Sequence, residues 1–88
     1  MPYIPKDKRT EIDKALNPLI EQLKQLPVEE QDGALNYSVT KILKRMYEPS
    51  YFNYNRAMGV LSNIKEEYYR REVAPYEDKK IQQNGDVE

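Results

Sequence analysis

Apolar residues recur at helical spacing in three separate stretches of this chain, and nowhere do they alternate with period two over a useful length. Ile12, Leu16, Leu19, Ile20, Leu23 and Leu26 make the first stripe. Leu35, Val39, Ile42, Leu43 and Met46 make the second, and Met58, Leu61, Ile64 and Tyr68 the third. Steps of three and four residues put each set on one side of a 3.6-residue helix. The fold expected is all-α: a small bundle of three main helices plus a short C-terminal helix, as one helical domain over 1–88.

Prolines and cap residues punctuate the stripes. Pro2 and Pro5 keep the first residues extended, because proline fixes its own φ and disfavours helix in the residue before it. The helical pattern begins at Lys6. Asn17-Pro18 predicts a kink or a restart, and Pro27 ends the element. Asp32 is the expected N-cap of the second helix, which Glu48-Pro49-Ser50 breaks. The third opens at Asn53 or Asn55 and runs to about Val73. Gly59 inside it predicts a close helix–helix approach, since glycine there costs about 1 kcal/mol relative to alanine. Ala74-Pro75 kinks or restarts the helix, which continues to about Gln83, and Asn84-Gly85 reads as a C-cap.

A chain of 88 residues with 39% apolar residues has one thin core. Such a core rarely supplies more than about 3–5 kcal/mol, and small domains add disulfides, metals or self-association. There is no cysteine to cross-link and no histidine, the commonest metal ligand. That leaves self-association, so a homodimer or larger oligomer is expected. The net charge of -1 argues against a basic nucleic-acid arm, and no DNA or RNA partner is expected. The N-terminus lacks a signal-peptide apolar segment, and no apolar run approaches the roughly 20 residues of a membrane span. A cytoplasmic protein without a membrane partner is the expectation.

Without thiol or imidazole the usual nucleophile–base pairs cannot be built, and Ser38, Ser50 and Ser62 lack an activating partner. Gly33, Gly59 and Gly85 are isolated, so no glycine-rich phosphate loop is present. One catalytic route is left, a carboxylate-held Mg²⁺ in an all-α nucleotide pyrophosphohydrolase. Its candidates would be Glu66, Glu67, Glu77 and Asp78, but adjacent acids point to different faces of a helix. No catalytic residue, metal or cofactor is expected.

Tyrosine carries the stronger signal: eight are present, against one Phe and no Trp. Its ring offers a stacking face and its hydroxyl a hydrogen bond, which suits half-wet sites and interfaces. Tyr69, Arg70 and Arg71 are consecutive, followed by Tyr76 and Lys80, and guanidinium groups recognise phosphate bidentately. Two readings stay open. These residues form a ligand site, or they support the helix through Glu66–Arg70 and Glu67–Arg71 pairs and line an oligomer interface. Asn36-Tyr37 has the same ambiguity, because Asn inside a helix is favoured where its side chain makes a hydrogen bond. Lys79-Lys80 is either a solvated face or a phosphate contact.

Met1-Pro2-Tyr3-Ile4, Gly33-Ala34-Leu35-Asn36-Tyr37, Gly59-Val60-Leu61, Tyr69-Arg70-Arg71, the run Ala74 to Lys80 and Asn84-Gly85-Asp86-Val87 together resemble a small uncharacterised family. Its members are short proteins of bacteria and bacteriophages that carry a domain of unknown function. The resemblance implies a phage or bacterial origin. By analogy with small phage proteins that sequester immune signals, the expected function is non-catalytic. The chain would bind a nucleotide-type signalling molecule, a cyclic oligonucleotide or an ADP-ribose derivative, as an anti-defence sponge in the host cytoplasm. Tyr69 and Tyr76 would stack on it, Arg70, Arg71 and Lys80 would neutralise phosphate, and Asn36, Tyr37 and Asn84 would read polar edges. The alternatives are a helical protein–protein interaction module without a small ligand, and the Mg-dependent pyrophosphohydrolase.

Overall fold

Pro5, at φ −57° and ψ 152°, leads the chain extended into a 3-10 turn at Lys6–Lys8. The computed structural model describes residues 3–87, so the extended start expected at Pro2 lies outside the described residues. Every element among the described residues is helical: α1 (Arg9–Lys24), α2 (Val28–Met46), α3 (Tyr51–Tyr68), a π turn (Tyr69–Val73) and α4 (Ala74–Asn84). The all-α expectation is met. None of the described helices is long and apolar enough to cross a membrane. The chain divides into two units, one up to Glu48 and one from Pro49.

In the first unit, α1 runs through Pro18 without the expected restart. Proline removes one ladder hydrogen bond but leaves the flanking turns intact, so the helix survives at a cost of about 3 kcal/mol. A three-residue link turns the chain into α2, and the two helices pack as an antiparallel pair. Gln31 ties that turn: its Nε2 donates to the carbonyls of Leu26 at 2.9 Å and Lys24 at 3.2 Å, satisfying groups that the end of α1 leaves free. The helix α2 begins at Val28, not at the expected cap Asp32. Pro27, with φ −54° and ψ 144°, sets the entry, and Glu29 and Glu30 in the first turn suit the positive end of the helix dipole.

In the second unit, α3 starts at Tyr51, two residues before the expected Asn53 and four before Asn55. Ser50 is the cap: its Oγ accepts from the Asn53 N–H at 3.0 Å. Gly59 makes no close approach, since a Cβ built there meets nothing within 4 Å. Beyond Tyr68 the helix widens instead of breaking. The Ala74 N–H reaches back five residues to the Tyr69 carbonyl, and Pro75 enters α4 in its first turn. A proline ring clashes with the carbonyl four residues before it, and a wider turn moves that carbonyl away. Gly85, at φ 88°, closes α4 by donating its N–H to the Ile81 carbonyl at 2.8 Å, as the C-cap reading expected.

Burial departs furthest from expectation. The three stripes predict a core of aliphatic side chains, yet among the described residues only Ala57 is buried, at 9% exposure. Leu19, Leu23, Leu26, Ala34, Val39, Leu43 and Leu61 are half-covered. Ile12, Leu16, Ile20, Leu35, Ile42, Met46, Ile64 and Tyr68 are exposed. Helical spacing shows which side of a helix is apolar, but not what covers it.

Candidate functional site

The sequence-predicted contact residues divide between the two units. Tyr69, Arg70, Arg71, Tyr76, Lys80 and Asn84 lie along the unbroken run from the π turn to the end of α4. Asn36 and Tyr37 lie on α2. All eight are exposed.

Several of the first group are engaged within their own helix. The Tyr69 hydroxyl donates to Glu77 Oε1 at 2.9 Å. That hydrogen bond, with the charge of the same carboxylate, pushes the Tyr69 phenol above its usual 10.0. Arg70 pairs with Glu67, not with Glu66, and Glu67 does not reach Arg71. The Lys80 ammonium lies 5.5 Å from the Tyr76 ring centre, a cation–π contact across one turn. Arg71 joins none of these pairs. Beside them the π turn leaves an open apolar groove of about 630 Å³, lined by Ile64, Lys65, Glu66, Tyr68, Tyr69 and Val73.

On α2 the arrangement is more basic than the sequence reading held. Asn36 Oδ1 accepts from Thr40 Oγ1 at 3.1 Å, which meets the expectation that Asn there uses its side chain. Lys41 donates to the Tyr37 hydroxyl at 3.4 Å and lies 5.6 Å from its ring centre. Asn36, Tyr37 and Thr40 share an open recess of about 570 Å³ with Gly33, Lys41, Lys44 and Arg45. The three cations were missed by a reading centred on the C-terminal arginines. Their steps of four and eight residues from Asn36 and Tyr37 were the available signal.

Chemically, the surfaces offer stacking faces, cations and apolar grooves. Among the described residues no three acidic side chains gather where a metal ion could sit. A family model described as a domain of unknown function (DUF6899) matches residues 1–87. The chain belongs to this family. No curated protein and no solved structure matches the chain. Within this DUF6899 chain, the geometry of the exposed faces therefore carries the functional argument.

Proposed function

We propose that the chain is a helical protein-interaction module that works as a homo-oligomer, with its uncovered apolar helix faces as contact surfaces and no catalytic role. One observation carries the reading: among the described residues no large apolar side chain is buried, and most are exposed. Its surface is 8333 Å². Two compact bodies of half its mass, sharing no surface, would expose about 6,500 Å² in all. The excess of about 1,800 Å² falls within the roughly 1,000–2,500 Å² that each partner buries in an obligate interface. Monomers seldom leave such patches bare. Hydrogen exchange across concentration tests the reading. Amides of α1 and α2 gain protection as the chain associates; protection that is the same at nanomolar and at tens of micromolar rejects it.

A second reading is favoured by the α2 recess, where Asn36 and Tyr37 stand beside Lys41, Lys44 and Arg45. In it the module also sequesters a nucleotide-type signal, with rings to stack a base and cations to meet phosphate. Thermal-shift measurements with cyclic dinucleotides, cyclic trinucleotides and ADP-ribose test it. A ligand at a hundredfold excess over its Kd stabilises by about 2.7 kcal/mol. Loss of that shift in Lys44→Ala supports the α2 recess, and loss in Arg71→Ala supports the C-terminal group. No shift with any of these nucleotides rejects the reading.

A further inference from the structure

In the open recess on α2 the polar groups present donors. Asn36, Tyr37, Thr40, Lys41, Lys44 and Arg45 line it, and no carboxylate does. Two of its neutral acceptors are already used. Asn36 Oδ1 takes the Thr40 hydroxyl at 3.1 Å, and the Tyr37 oxygen takes the Lys41 ammonium at 3.4 Å. The Asn36 amide protons, the Tyr37 phenol proton and the Lys44 and Arg45 cations have no partner among the described residues. A surface that offers donors and cations without a carboxylate recognises an anion rich in acceptor oxygens.

The C-terminal run lacks this quality. From Glu66 to Lys80 it holds four cations and five carboxylates, Arg70 is paired with Glu67, and Glu77 takes the Tyr69 hydroxyl. An anion there would meet as much repulsion as attraction. On α2 the helix dipole favours Lys44 and Arg45 in the last turn, but it does not call for Lys41 a turn earlier or for the donors beside it. Spacing then narrows the anion. Lys44 and Arg45 follow Lys41 by three and four residues, which sets their Cβ atoms about 5–6 Å from that of Lys41. Three charges so close match two phosphoryl groups joined to each other. A cyclic dinucleotide instead holds its two phosphates apart across a ring.

We propose that the α2 recess binds a diphosphate group, with Lys41, Lys44 and Arg45 on its charges and the Asn36 amide and Tyr37 hydroxyl on its remaining oxygens. The proposal deepens the nucleotide-sequestration reading and rests on it, naming the ligand class and choosing α2 over the C-terminal run. The diphosphate is the chemistry that inorganic pyrophosphate and ADP-ribose share. The Lys41 ammonium stands 5.6 Å from the Tyr37 ring centre and closes that face to a base, so the phosphates carry the recognition.

Amide NMR titration of the full chain tests the proposal, with inorganic pyrophosphate, ADP-ribose and a cyclic dinucleotide as probes. Pyrophosphate and ADP-ribose should both move the amides of 36–45 with similar dissociation constants, and the cyclic dinucleotide should bind about tenfold more weakly. Lys44→Ala and Arg45→Ala should each weaken both diphosphates by about tenfold, as expected for one charge-assisted hydrogen bond. Both positions are exposed, so circular dichroism should show the variants helical. Lys24→Ala, on α1, should leave binding unchanged. A cyclic dinucleotide that binds as tightly overturns the diphosphate site and leaves the sequestration reading standing. So does ADP-ribose binding that pyrophosphate does not share, or that survives both substitutions. No binding by any of the three probes overturns both.

Discussion

The Tyr69 hydroxyl and Glu77 Oε1 meet at 2.9 Å across the widened turn, eight residues apart. In a regular α-helix eight residues turn 800°, leaving the two side chains about 80° apart. A π turn takes up one extra residue, so the effective advance is about 700° and the pair comes within roughly 20° of alignment. The wide turn, set by Pro75, is thus what brings ring and carboxylate together.

Replacing Pro75 by Ala restores the missing N–H and removes the ring that holds the turn open. The expected outcome is closure to α register, rotation of α4 relative to α3, and loss of the Tyr69–Glu77 bond. Ring-carbon NMR of Tyr69 checks it, since the phenol then titrates at its ordinary value. An unchanged, raised titration in Pro75→Ala would mean that proline does not set the turn.

The same bond fixes a pH dependence. Because the folded-state pKa of Tyr69 is raised above 10.0, its contribution is fully present below that pH and is lost as pH rises through the raised value. Tyr69→Phe removes the contribution. Amide exchange over 74–78 in the wild type is therefore expected to approach that of Tyr69→Phe in strong alkali and to stay slower at neutral pH. Equal exchange at neutral pH would contradict the contact.

Ser50 holds the first turn of α3 through its contact with the Asn53 N–H. Ser50→Ala should destabilise the second unit by about 1 kcal/mol, and Ser50→Gly by only a few tenths. Urea unfolding monitored by circular dichroism measures both.

The elements were legible where spacing alone decides them. The three stripes recur every three or four residues, and α1, α2 and α3 follow them. Boundaries failed where a rarer device won. Ser50 was read as part of a break, although it caps α3. Asp32 has the chemistry of a cap, but Pro27 sets the entry to α2 five residues earlier. Pro75 was legible as a disturbance, and its resolution as a wide turn was not, because that depends on how the Arg71 carbonyl escapes the ring. The candidate site was half legible. Tyr69, Arg70 and Tyr76 stood out, while Lys41, Lys44 and Arg45 needed the α2 face to bring them beside Tyr37.

Polar substitution on the exposed apolar side of α2 separates association from folding. Ile42→Asp places a carboxylate where the account puts a second chain, and burying it unpaired would cost several kcal/mol. The variant should lose association and much of the helicity that depends on it. Tyr51→Asp, at a position 84% exposed on the other unit, should leave association through α2 unchanged. Size-exclusion chromatography with light scattering reads both.

The most direct test is the mass of the wild-type chain in solution across concentration, with helicity followed in parallel. A species of at least two 10.5 kDa chains is expected at micromolar concentration, with helicity falling as dilution separates them. A cooperatively melting, fully helical species of 10.5 kDa at tens of micromolar would contradict it.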